Sequence, residues 1–169
     1  MTFYDSFVSL ALSSLRARRL GQTMKLTILE DAKKRPELFF WAGAIEPSVL
    51  DSWLKDRGWN IPEDLKYFWL QTGGGDFFES ETIFAPFSDL WADDSVDLVN
   101  QAQISEGMPK YYLPLHTGLR FSAVNLETLK YTFLDERTYQ VQQEFPSLDA
   151  WYVEGIRPDF KEAYSLDPL

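Results

Sequence analysis

The chain has 169 residues, 45% of them hydrophobic and 16% aromatic, with a formal net charge of −10 and no cysteine. A chain of this length buries roughly two-thirds of its unfolded surface in one domain, so it needs no staple. The composition excludes a disordered chain, the missing cysteine excludes disulfides and thiolate metal sites, and the acidic balance disfavours a nucleic-acid surface.

Residues 1–23 read as an N-terminal helical extension. Phe3, Phe7, Leu10 and Leu15 lie near one face of a helix. The apolar run is too short to cross a bilayer. Asp5 precedes it and Arg16, Arg18 and Arg19 follow it, the reverse of a secretory signal. An amphipathic helix docked on its own domain is expected; a membrane-surface or partner helix is the alternative. With no export signal, a cytoplasmic location is expected.

Residues 24–35 are mixed and charged. A helix is predicted from Pro47, with Val49, Leu50, Trp53 and Leu54 at helical spacing and Gly58 as its stop. A second helix is predicted over Pro62–Thr72, in the stretch IPEDLKYFWLQTGGGDFF. Glu63 and Asp64 suit the positive end of its dipole, and Gly73 falls where a left-handed C-cap belongs. Gly73, Gly74 and Gly75 follow the helix, with Asp76 next. A phosphate cradle needs glycines at a helix N-terminus and a lysine after them, so these glycines read as a turn. TIFAPF reads as a strand or strand end, and SDLWADDSVDLVNQ as a helix capped by Ser88.

Four strands follow in YYLPL, LRFSAVN, LKYTFLD and TYQVQQ, separated by turn signals. A last helix is predicted over Ser147–Glu154, capped by Ser147 and burying Leu148, Trp151 and Tyr152 before Gly155. Helices, then strands, then a helix make an α+β domain: one antiparallel sheet of about four to six strands, with helices packed on it.

The ordered set of these segments resembles the SUKH superfamily. Ile61-Pro62 is similar to the family's helix entry, Leu65-Lys66-Tyr67-Phe68 to its helix body, and Gly73-Gly74 to its turn. YYLPLHTG resembles the central strand, LKYTFLD the next one, and FPSLDAWYVEGI the closing segment. The likeness covers about residues 48–156 of a single domain spanning 1–169. It implies an α+β fold and protein binding without chemistry of its own. The implied function is immunity: neutralising a cognate, basic, nuclease-type toxin. A scaffold of the cell-wall-synthesis-regulator type is the alternative.

Charge patterning agrees. Between Lys66 and Lys110 there is no Lys, Arg or His, but there are eight acids: Asp76, Glu79, Glu81, Asp89, Asp93, Asp94, Asp97 and Glu106. Such a field repels nucleic acid and attracts a basic protein. The expected partner-binding surface is Asp76, Glu79, Glu81, Asp89, Trp91, Asp93, Asp94 and Asp97, with Trp91 either an exposed anchor or packed under the short helix. A purely solvating role is the alternative. The run Asp93-Asp94-Ser95-Val96-Asp97 has the Asp-Asp-x-x-Asp form that can bind magnesium through carboxylate oxygens, but a hard cation needs a surrounding cage that sequence does not show, so no metal or cofactor is expected. His116 stands alone as a histidine and reads as a hydrogen-bonding strand-end residue. Trp53, Trp59, Trp69 and Trp151 read as core. No catalytic residue stands out, although buried carboxylates of a small hydrolase would be invisible at this level.

Overall fold

The computed structural model describes residues 23–87 and 94–169. The sheet is a seven-stranded meander in chain order, antiparallel throughout. Its strands are β1 Phe39–Trp41, β2 Gly75–Phe77, β3 Glu81–Ile83, β4 Tyr112–Thr117, β5 Phe121–Asn125, β6 Tyr131–Leu134 and β7 Val141–Phe145. The four predicted strands are β4 to β7. The count exceeds the expected four to six because β1, β2 and β3 have only three residues each, too short to show a period of two.

The helices are α1 Thr27–Lys34, α2 Pro47–Arg57, α3 Glu63–Thr72, α4 Val96–Ser105, α5 Leu148–Ala150 and α6 Arg157–Phe160. A π-helical segment, Trp151–Ile156, joins the last two. Gly58 and Gly73 close α2 and α3 in the left-handed conformation. Pro62 is the N-cap of α3, one position before its predicted place. Ser95 caps α4 by accepting from Leu98 N. The Ser88 cap predicted for this helix lies outside the described residues. Ser147 caps α5 by accepting from Ala150 N, as expected. The closing helix does not stop before Gly155, because that residue lies against the Phe133 and Phe145 rings and an added Cβ would sit within 2.8 Å of both.

The three glycines are a crossing point. A Cβ on Gly73 would lie 2.3 Å from Gly43 O, and one on Gly75 2.1 Å from Phe40 O. Ala42 N donates to Gly74 O and Gly43 N to Thr72 O. The bare backbone lets β1 pair directly with the chain leaving α3, which side chains would prevent.

Strands β4, β5 and β6 are buried along almost their whole length, so helical layers cover them. A register shift falls beside Pro114 in β4, where the ring removes a ladder donor. Trp69, Trp151, Tyr131, Tyr152 and Phe68 are the largest fully buried side chains. Trp53 is also buried, while Trp59 is half-buried against it at 5.4 Å between ring centroids. Among the described residues, no helix is long and apolar enough to cross a membrane.

Candidate functional site

Alternation along the short strands decides which predicted acids can meet a partner. In the paired rows Phe39–Phe77–Glu81 and Trp41–Gly75–Ile83–His116, the side chains point into the core. The row between them, Phe40–Asp76–Thr82–Thr117, points outward. Phe40 is 57% exposed, and the other three are half-exposed. Asp76 Oδ1 accepts from Thr82 Oγ1 at 2.7 Å, which orients the carboxylate on the strand position paired with Phe40. An exposed aromatic next to an oriented carboxylate can take a basic side chain: the ring accepts the cation's face and the carboxylate its N–H groups.

Glu79 stands at the tip of the β2–β3 turn and is exposed. It and Phe78 both have positive φ, 65° and 50°. Phe78 is held there by stacking on Phe160 and Tyr164, at 4.7 and 5.4 Å between centroids. Backbone strain of this kind persists only where packing over-determines it. The core thus presents Glu79 at the same end of the sheet as Phe40 and Asp76.

The other predicted residues separate. Glu81 is 1% exposed and is not on the surface, a correction that follows from its inward register on β3. Its Oε2 bonds His116 Nε2 at 2.8 Å, and its carboxylate also accepts from Leu119 N and Ser80 Oγ. Asp97 is not a free rim charge either. It accepts from Arg57 Nε and Nη2, both at 2.7 Å, and from Trp53 Nε1 at 3.0 Å, tying α4 to α2. Asp94 is half-buried, and its carbonyl accepts from Ala85 N. Asp89, Trp91 and Asp93 lie outside the described residues. The isolated bridge Ala85↔Ser95 fixes the two ends of that segment beyond the far end of β3 from Glu79. Strand β3, Glu81–Ile83, lies between Glu79 and Ala85. Of the predicted residues among those described, Asp76 and Glu79 thus stand at the surface of the β2–β3 hairpin, while Glu81 is buried and Asp97 is bound to Arg57.

His116 is wholly buried, and sequence reasoning missed its network. Its Nδ1 lies 3.1 Å from Ser122 Oγ, which accepts from Trp151 Nε1 at 3.0 Å. With the imidazole neutral and Nε2 protonated, every hydrogen finds an acceptor: Trp151 to Ser122, Ser122 to His116, His116 to Glu81. Burial holds His116 below the ordinary imidazole value, against the pull of Glu81. Burial pushes Glu81 up, but the interactions with His116, Ser80 and Leu119 N together outweigh it and hold the carboxyl below the usual range. Serine, histidine and glutamate here are in hydrogen-bond sequence, but at 0–1% exposure they are walled off from any substrate. Gly118 closes the chain at the surface, where a Cβ would lie 2.2 Å from Glu81 Oε2.

A second buried pair ties the chain ends together. Arg157 Nε and Nη2 reach Asp31 Oδ2 and Oδ1 at 2.7 and 3.1 Å, and Tyr152 donates to the same carboxylate at 2.7 Å. A cleft of about 490 Å³ opens above it, rimmed by Lys25, Lys34, Asp149 and Asp167. On its rim Lys34 Nζ pairs with Asp167 at 2.8 Å and Asp149 accepts from Thr27 N. No group of three or more His, Asp or Glu among the described residues could hold a metal ion.

The sequence matches no protein-family profile. It also matches no curated protein. It is similar in fold to the crystal structure of a protein from Pseudomonas syringae pv. tomato, at a TM-score of 0.57 and 15% identity, over 73% of this chain and 93% of that one. At that identity the likeness concerns the fold alone.

Proposed function

We propose that this protein acts by binding a basic protein through the β1–β3 end of its sheet, as a cytoplasmic immunity protein that neutralises a nuclease-type toxin. The observation that carries the reading is the outward row in which Phe40 stands beside the oriented carboxylate of Asp76, with Glu79 exposed in the adjoining β2–β3 turn. Asp76 and Glu79 lie in a 43-residue stretch (67–109) without a cation. A nuclease must be basic to hold phosphate, so an acidic ledge with an aromatic anchor complements its active cleft. The SUKH-like order of segments supports the same class. Binding suits the ledge better than hydrolysis does, because the buried Glu81 and Asp31 carboxylates are each spent on an internal partner.

The test is protection of growth. Cells expressing the toxin domain encoded next to this gene are expected to survive only when this protein is co-expressed. Phe40→Ala should weaken the complex by about 2 kcal/mol, roughly thirtyfold, and reduce protection. If no toxin gene adjoins and the protein instead captures cell-wall-synthesis proteins, the scaffold reading replaces immunity.

A further inference from the structure

The β4–β5 turn leaves one large apolar side chain in solvent beside the ledge. Leu119 is 63% exposed, more than Phe40 at 57%. Leu119 N and Ser80 Oγ both donate to Glu81 Oε1, at 3.1 and 2.8 Å, so this turn stands side by side with the β2–β3 turn that carries Glu79. Lone exposed leucines are ordinary on protein surfaces. This one is held in place. Its N–H is fixed on a buried carboxylate, and Gly118 before it fits only because a Cβ would lie 2.2 Å from Glu81 Oε2. The residue after it is fixed as well: Arg120 bonds Asp159 and Gly155 O, and its guanidinium lies 5.2 Å from the Phe133 ring centroid. The backbone is thus tied to the core on both sides of Leu119, while the side chain stays outside. Covering a side chain on so fixed a backbone costs little ordering entropy.

We infer that Leu119 is a second anchor of the same interface, so that the basic partner sets an apolar side chain beside its cation. The inference rests on the binding role proposed for Phe40, Asp76 and Glu79. Phe40 is on β1 and Leu119 follows β4, with β2 and β3 between them. Three strand spacings are roughly 14 Å. A contact patch of standard size, roughly 800 Å² per partner, covers that width. The two apolar side chains therefore stand on either side of Asp76 and Glu79. Apolar contacts on both sides of a charge pair exclude water from it and hold the complex, while the charges themselves mainly speed association. The acids also decide the occupant. A second copy docked here about a two-fold axis would set Asp76 and Glu79 against their own counterparts, and like charges across an interface repel. A partner carrying Lys or Arg beside an apolar residue meets no such penalty.

The test is binding kinetics with the toxin domain encoded next to this gene, with thermal melting as the check on folding. Leu119→Ala is expected to raise the dissociation rate roughly tenfold or more and to leave the association rate within about twofold. Leu119→Met keeps the apolar bulk and should dissociate within about threefold of the unmodified chain. Val141→Ala removes a comparably exposed side chain at the far edge of the sheet and should change neither rate. Native dissociation of Leu119→Ala, combined with slowed association of Asp76→Lys/Glu79→Lys, overturns the leucine anchor and keeps the acidic ledge. Native kinetics in both variants, or no complex with the unmodified chain, overturns the two together. Sedimentation of the chain alone is expected to show a monomer of 19.6 kDa. A dimer that Leu119→Ala dissolves would give this surface to a second copy and overturn the proposal.

Discussion

Replacing Arg157 with leucine is expected to destabilise the protein by about 3–5 kcal/mol, because a buried carboxylate loses the guanidinium bonded to it. Asp31 is 5% exposed and Arg157 2%, with two hydrogen bonds between them. Tyr152 still donates to Asp31 in the variant, but one hydroxyl cannot replace a guanidinium. The loss also frees the C-terminal tail, since Arg157 Nη2 holds Asp167 O at 2.7 Å. The midpoint of thermal unfolding should fall by roughly 10–15 °C for a domain of this size. The double variant Asp31→Leu/Arg157→Leu should recover much of the loss, because removing both charges removes the desolvation penalty as well. Equal melting temperatures for the single variant and the unmodified protein would show that the pair contributes nothing.

The second large effect concerns acid. The folded protein holds its single imidazole neutral, so the folded pKa of His116 lies below the 6.5 of the unfolded chain. The unfolded state therefore binds a proton that the native state refuses, and stability falls as pH drops below about 6.5. Glu81 is likewise depressed below its unfolded 4.5. Its contribution is present above that pH and is lost as pH falls through the lower folded value. Both act in the same direction, so chemical denaturation should show stability declining as pH falls below about 6.5 through His116, with the Glu81 contribution lost only below about 4.5. His116→Leu leaves the Glu81 carboxylate without its buried donor and should cost about 2–4 kcal/mol at pH 7. It should also abolish the step near pH 6.5. A variant that keeps that step would place its origin outside the imidazole.

The larger elements were legible because several signals agreed on each. Pro62, Glu63, the stripe through Leu65, Phe68 and Trp69, and Gly73 all define α3. The meander declared itself through turns and β-rich runs, and Ser147 through its position as a cap. The acidic surface was read less well, because charge counted along a chain ignores the side of a strand. Glu81 and Ile83 stand two apart on β3, and an apolar Ile83 already implies an inward Glu81. The Phe40 ledge stayed hidden because FFW is too short for its in–out–in pattern to stand out. Asp97 was taken for surface charge because its partners, Trp53 and Arg57, are some forty residues away.

The central claim is that the β1–β3 end meets a basic partner, and association kinetics test it most directly. The measurement is the on-rate of the adjacent toxin domain at two salt concentrations, for the unmodified protein and for Asp76→Lys/Glu79→Lys. Asp76 is half-exposed and Glu79 exposed, with no ion pair to a cationic side chain among the described residues, so the fold should survive their reversal. The account predicts that the double reversal slows association at least tenfold at low salt and flattens its salt dependence. Association at the native rate with the native salt dependence would contradict it and move the interface elsewhere on the molecule.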